Sequence, residues 1–264
     1  MIRQGPDNYE PTPESPAKLS WLLAVDAATG RTLWRVTRPV LARGESQDAY
    51  TSPIVRRAGA VEEILTLGGN CLIAHDPATG GERWRWDGYT KLGKTVERVI
   101  PSPVPAGDLV IVAAPRYGPV YAFRPPAGAA AAPRDPVAWV SRRAGADTST
   151  PLFYEGVVYV VHCLKRTLTA LDARTGDRLW SESLGEGAPL RASPTGADGK
   201  IYCMDERGVV DVLKVGPRFE RISRIEMSGV CCRSTIAAAH GCLFIRVDDQ
   251  LYCIGRAGPP SAGR

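Results

Sequence analysis

Long apolar runs are missing from this chain. Its longest, such as Val157 to Val161, fall far short of the roughly 20 residues a helix needs to cross a bilayer, so no transmembrane helix is expected. Blocks of one charge are missing as well. The 33 basic and 28 acidic residues, net +5, are scattered, which argues against the basic footprint used on nucleic acid or anionic lipid. Met (3) and Phe (4) are scarce while Gly (27) and Pro (22) are plentiful, a balance suited to many turns rather than long helices. The first twenty residues have neither a basic start nor an apolar centre and do not read as a secretory signal.

Several kinds of chemistry lack their signatures. Seven cysteines (71, 163, 203, 231, 232, 242 and 253) are an odd number without metal-ligand spacing, and several sit inside apolar strands, so neither a disulfide framework nor a metal site is expected. His75, His162 and His240 have no carboxylate or cysteine partner at ligand spacing. No Gly-x-Ser-x-Gly elbow, phosphate loop or paired-carboxylate signature occurs, and no residue is assigned a catalytic role.

An internal repeat is present and governs the fold. Ala24-Val-Asp26-Ala-Ala-Thr29-Gly30-Arg-Thr-Leu-Trp34 recurs as Ala74-His-Asp76-Pro-Ala-Thr79-Gly80-Gly-Glu-Arg-Trp84 and as Ala170-Leu-Asp172-Ala-Arg-Thr175-Gly176-Asp-Arg-Leu-Trp180. A hydroxyl residue followed by proline marks each unit at Ser52, Ser102, Thr150 and Ser193, with Ser234-Thr235 as a worn fifth copy, so the period is 41 to 50 residues. One four-stranded propeller blade takes about 40 to 50 residues.

Within a unit the order is anchor and short strand, a β-branched strand, a strand ending in Ala-x-Asp, the Thr-Gly turn, and a strand closing on Trp. Asp and Thr bond backbone amides in that turn, Gly supplies a positive φ, and the indole covers the gap between adjacent sheets while its N–H seeks a buried acceptor. Asp26, Gly30, Trp34, Asp76, Gly80, Trp84, Asp172, Gly176 and Trp180 are therefore read as structural docking residues.

These residues resemble the quinoprotein-like, or PQQ-binding-like, repeat family with its tryptophan docking motif, over about residues 20 to 254. The resemblance implies an all-β propeller of four-stranded antiparallel blades. Its members include quinoprotein alcohol dehydrogenases and the BamB-like propeller of the outer-membrane β-barrel assembly machinery. It also implies seven or eight blades behind a secretion signal, hence a periplasmic or secreted parent.

The chain departs from its own pattern in places. In the third unit Arg124 replaces the docking Asp, no Thr-Gly follows, and Trp139 comes after a Pro/Ala/Gly insertion at 125–136. In the fifth, Phe219 lies near the Trp position, which predicts a weaker docking contact. The anchors count four whole units, a leading half and a trailing three-quarters, so the expectation is an incomplete propeller of five to six blades from a truncated product. The domain reading is a linker-like segment at 1–18, the propeller at 19–255 and a disordered tail at 256–264.

Propeller ligands gather where the entries to the innermost strands converge, which directs attention to residues before each anchor. Tyr50, Arg98, Thr148, Arg191, Cys232 and Arg233 are the candidate mouth residues for a protein, peptide or small anionic ligand. The arginines suit a carboxylate, phosphate or acidic peptide; the alternative, preferred here, is ion pairing with Asp48, Glu97 and Asp147. Vicinal Cys231-Cys232 resembles the cysteine pair of quinoprotein dehydrogenases, but the family's Ca²⁺ ligands and catalytic Asp are not identified here. The expected function is a non-catalytic scaffold without cofactor; a dehydrogenase fragment using PQQ and Ca²⁺ is the alternative.

Overall fold

A computed structural model describes residues 20–38, 44–87, 97–126, 136–227 and 229–255. The segments 1–18 and 256–264, for which a linker and a tail are expected, lie outside them. Among the described residues the regular secondary structure is β-strand apart from one 3-10 turn at Gly44–Gln47, and no helix is long and apolar enough to cross a membrane.

The chain divides into two compact units, residues 1–143 and 144–264. In the first, sheet I pairs β1 (Ser20–Val25) with β2 (Thr32–Arg38). Sheet II is the meander β3 (Ile54–Ala58), β4 (Val61–Gly68), β5 (Cys71–His75), β6 (Glu82–Trp86). Sheet III is the meander β7 (Val104–Ala106), β8 (Leu109–Ala113), β9 (Val120–Phe123), β10 (Val137–Ser141). In the second unit, sheet IV runs β11 (Leu152–Tyr154), β12 (Val157–His162), β13 (Thr167–Asp172), β14 (Arg178–Ser183). Sheet V runs β15 (Thr195–Ala197), β16 (Lys200–Met204), β17 (Val209–Lys214), β18 (Arg221–Glu226), and sheet VI runs β19 (Ala237–Ala239), β20 (Cys242–Val247), β21 (Gln250–Gly255). Four four-stranded sheets, a leading pair and a trailing three are the units the anchors count. Trp139 falls in β10 as expected.

Middle strands such as β8, with five consecutive buried residues, are covered on both faces, which is why they read as continuous apolar runs. In the first unit Leu65, Leu67 and Leu72 of sheet II pack with Val110, Val112 and Phe123 of sheet III. In the second, Tyr159, Leu168 and Trp180 of sheet IV meet Ile201 and Leu213 of sheet V, and Val210 and Val212 meet Ile236 and Ile245 next to sheet VI. Each fully buried Leu or Val contributes roughly 1.5–3 kcal/mol, so these layers hold consecutive sheets together.

The docking turns behave as their residues dictate. Asp172 Oδ1 accepts from the Arg174 N–H (2.9 Å), the Thr175 N–H (3.0 Å) and the Thr175 hydroxyl (3.3 Å), and Asp26 and Asp76 repeat the arrangement. Gly30, Gly80 and Gly176 take φ of 71°, 74° and 76°. Every Trp of the motif stands opposite the Ala of Ala-x-Asp, in the pairs Ala24–Trp34, Ala74–Trp84 and Ala170–Trp180, with a bulge just beyond. Trp34 Nε1 donates to the Pro77 carbonyl of the next sheet's turn (2.9 Å), and its ring fills the space a Cβ on Gly80 would need. Trp180 Nε1 likewise reaches Gly216 O in sheet V's turn (3.1 Å).

Three details correct the sequence reading. Phe219 is on the receiving side of a docking contact: it lies edge-on to Trp180 with centroids 5.4 Å apart, while Ser223 stands opposite Val212 in the Trp register of sheet V. The fifth anchor is Thr235, one residue after Ser234. The amide of Ser52 donates to Ser102 Oγ (2.9 Å), that of Thr150 to Ser193 Oγ (3.0 Å) and that of Ser193 to Thr235 Oγ1 (3.3 Å). The anchor hydroxyl is thus a sheet-to-sheet acceptor, and the amide it receives identifies the equivalent residue. Trp84 takes its partner within its own sheet. Sheet III has Arg124 where sheets I, II and IV have Asp, and the Trp84 indole donates to Glu63 (3.0 Å).

Candidate functional site

In an antiparallel meander the hairpin between strands two and three leaves from the same end of the sheet as the link from strand four to the next sheet. Those two kinds of segment therefore meet, and there the candidate mouth residues are found.

In the second unit Thr148, Arg191, Cys232 and Arg233 gather around the β16–β17 hairpin, residues 205–208. Glu206 at its tip accepts from Arg233 Nε (2.6 Å) and pairs with Arg191 (3.0 Å). Its backbone is tied on both sides, the Glu206 N–H donating to Pro189 O (3.0 Å) and Glu206 O accepting from the Cys232 N–H (2.8 Å). Ser149 Oγ donates to the Leu190 carbonyl (3.1 Å), holding the 148–149 segment to the same junction, with Thr148 Oγ1 enclosed and unbonded. Arg233 remains 65% exposed, so its guanidinium is the part of this cluster that faces solvent. The bond to Glu206 pushes the Arg233 guanidinium further up its range, so it is fully charged.

Beneath lies a second layer. Arg166 is buried, donates to Gly185 O (2.7 Å), to Ala188 O and to Asp205 Oδ2 (2.9 Å). Asp205 Oδ1 in turn accepts from the amides of Arg207 and Val209, and Gly187 leaves the space where the guanidinium lies. Asp211 is fully buried between Arg221 (3.0 Å) and Arg224 (3.4 Å), and burial raises its carboxyl against the pull of both.

The first unit holds the counterpart with the charges exchanged. Arg116, in the β8–β9 hairpin, pairs with Glu45 (2.9 Å) and Glu97 (3.5 Å), and Arg98 joins Glu45 at 3.2 Å. The bond from Arg116, then that from Arg98, holds the Glu45 carboxyl below its usual range. Tyr50 is half exposed beside this cluster, its amide bonded to Val99 O (2.9 Å).

The preferred ion pairing thus takes place, but Arg98, Arg191 and Arg233 pair with Glu45 and Glu206 rather than with Asp48, Glu97 and Asp147. Arg116, Arg166, Asp205 and Glu206 are not visible from the anchors because they lie in the hairpins between second and third strands, and Glu45 because it sits farther ahead of Ser52 than the residues next to the anchor. The Gly/Asp/Asn turn after each second strand was the available signal, since topology carries it to the same end.

Cys231 and Cys232 are free thiols pointing into different surroundings. Cys231 is exposed, its N–H on Asp248 (2.8 Å). Cys232 is buried among Met204, Val210 and Ile236, and burial raises its thiol, which keeps it protonated and a poor nucleophile. A Ca²⁺-supported quinone needs six to eight oxygen ligands around the metal. Among the described residues no three of His, Cys, Asp and Glu converge to hold a metal ion.

No curated protein matches the sequence. A family model described as outer membrane protein assembly factor BamB matches residues 19–131 and 69–216. BamB from Moraxella catarrhalis is similar in structure at TM-score 0.62 and 16% identity, over 87% of this chain and 66% of that one. Sqt1 of Saccharomyces cerevisiae matches at 0.62 and 14%, over 87% and 64%. A 6-phosphogluconolactonase, described as putative, from Bacteroides uniformis matches at 0.56 and 14%, over 90% and 74%. The chain spans just under two thirds of the length of the first two. At these identities the likeness shows the fold alone, a β-propeller, and a fold by itself does not carry an activity.

Proposed function

Because the chain belongs to the family described as outer membrane protein assembly factor BamB, we infer that it is a non-catalytic, cofactor-free scaffold that presents the hairpin-and-link end of its sheets to a protein or peptide, in a periplasmic or secreted parent. The observation that carries this reading is the second unit's polar junction. Glu206 fixes Arg191 and Arg233 by ion pairs and Cys232 by its backbone, so the end is rigid and charged. A rigid rim with an exposed guanidinium suits recognition, because little side-chain entropy is lost on binding. The same residues lack a nucleophile beside a base, which acyl or glycosyl transfer would require.

A photo-crosslinking residue at Arg233 and another at Asp198, on the opposite end of sheet V, test the proposal in cells. Crosslinking to one protein band from position 233 and none from 198 supports it. Equal labelling from both positions, or dye reduction by the purified protein with PQQ and Ca²⁺ that Cys232→Ser abolishes, defeats it.

A further inference from the structure

Three arginines among the described residues are buried: Arg38 (4% exposed), Arg56 (4%) and Arg166 (5%). A guanidinium stays charged in a protein, and a buried charge persists only when something of opposite sign compensates it. Arg56 has Glu63 at 2.7 Å and Arg166 has Asp205 at 2.9 Å, both carboxylates buried as well. Arg38 has no carboxylate partner among the described residues. Its Nε is enclosed and makes no hydrogen bond. Residues 39–43, which follow it, contain no Asp or Glu either.

Arg38 ends β2, where the link toward sheet II begins, so it lies at the binding end of the first unit. Its Nη1 is 3.8 Å from where a Cβ on Gly68 would stand, and that Cβ would lie 2.5 Å from Ala49 Cβ, so the position beside the guanidinium is closed to any side chain. Ser46 and Asn70, both buried in the adjoining turns, bond to each other at 3.3 Å. Burial alone pulls the guanidinium down to about 10, which leaves it cationic at neutral pH. Residual charge without a carboxylate is the signature of a place that an ion from solution completes.

We propose that Arg38 is the recognition group of a small oxyanion site, binding a phosphate or a carboxylate through the planar fork of its guanidinium. The fork matches two oxygens of either group, which a lysine would not. The site goes beyond the scaffold reading and does not depend on it, since the ligand is a free ion and the measurement is binding to the purified protein.

Thermal unfolding at constant ionic strength, with inorganic phosphate or acetate replacing chloride, tests it in wild type and Arg38→Met. Wild type should gain on the order of 5 °C along a saturating curve, and the oxyanion that saturates at the lower concentration is the class the site prefers. Arg38→Met should follow only the shallow salting trend that phosphate imposes on any protein, and should melt no lower than wild type when neither oxyanion is present. A variant that keeps the full phosphate response overturns the proposal, as does one that melts well below wild type without anion or fails to fold, because Arg38 would then be a structural residue. Phosphorus NMR on wild type gives an independent reading: broadening of the phosphate line that acetate reverses supports the site, and an unchanged line together with no saturating acetate response in the melting curves refutes it.

Discussion

Asp172 organises its turn through a single oxygen that accepts three hydrogen bonds from Arg174 and Thr175. Those bonds, led by that from the Thr175 amide, hold its carboxyl below the usual carboxylate range. A folded-state pKa depressed below the unfolded one gives stability that is present above the unfolded value and is lost as pH falls through the folded one. Asp172→Ala should therefore cost about 1 kcal/mol at neutral pH, the scale of a lost side-chain cap, and the cost should vanish as the pH falls through the lowered folded-state value. Urea titrations at several pH values check this; a penalty independent of pH would mean the contribution is steric. His75 is governed by the same kind of local demand. Gly80 O can only accept, so Nδ1 carries the proton at 2.9 Å and Nε2 faces the Thr66 hydroxyl. Burial lowers this imidazole, so the ring that braces the turn is neutral.

At the scale of the element, the meander and its docking turn were legible because they are short-range. The turn chemistry acts within five residues, and the alternation of faces fixes which Ala opposes which Trp. What an indole docks on is a different matter, since it depends on the next sheet. Trp34 and Trp180 find turn carbonyls there, the latter in sheet V even though Lys214 takes the place of the docking Asp, while Trp84 donates to Glu63 of its own sheet. Glu63 is thereby shared: one oxygen takes Trp84, the other Arg56 at 2.7 Å, all buried. Removing one partner of a buried pair leaves an uncompensated charge. Glu63→Ala should destabilise by about 3–5 kcal/mol, and Arg56→Met combined with Glu63→Leu should recover most of that loss. Denaturant midpoints of the two variants decide it, and equal losses in both would refute the pairing as the cause.

At the scale of the whole molecule, stability rests on how each sheet is joined to the next, as in other repeat architectures. The anchor hydroxyls supply one such joint: Ser193 Oγ takes the Thr150 amide, and the Ser193 amide passes to Thr235. Ser193→Ala leaves the part-buried Thr150 amide without its acceptor, at a cost of about 1–3 kcal/mol. It should also lower the denaturant m value, because weakened coupling lets sheets unfold separately. Ser193→Thr should keep both properties. An alanine variant with an unchanged m value would show that apolar packing alone couples the sheets.

By itself the sequence determined the strands, their order, the docking turns and the count of repeat units, since each follows from turn chemistry and side-chain alternation over a few residues. Only the tertiary structure decided that Arg191 and Arg233 share Glu206, that Thr235 is the fifth anchor, that Cys232 is a core residue, and that Arg38 alone of three buried arginines has no carboxylate among the described residues. Such pairings join residues far apart in the chain. They are chosen by which side chains the folded sheets bring within about 3 Å of one another, a distance that no local pattern encodes.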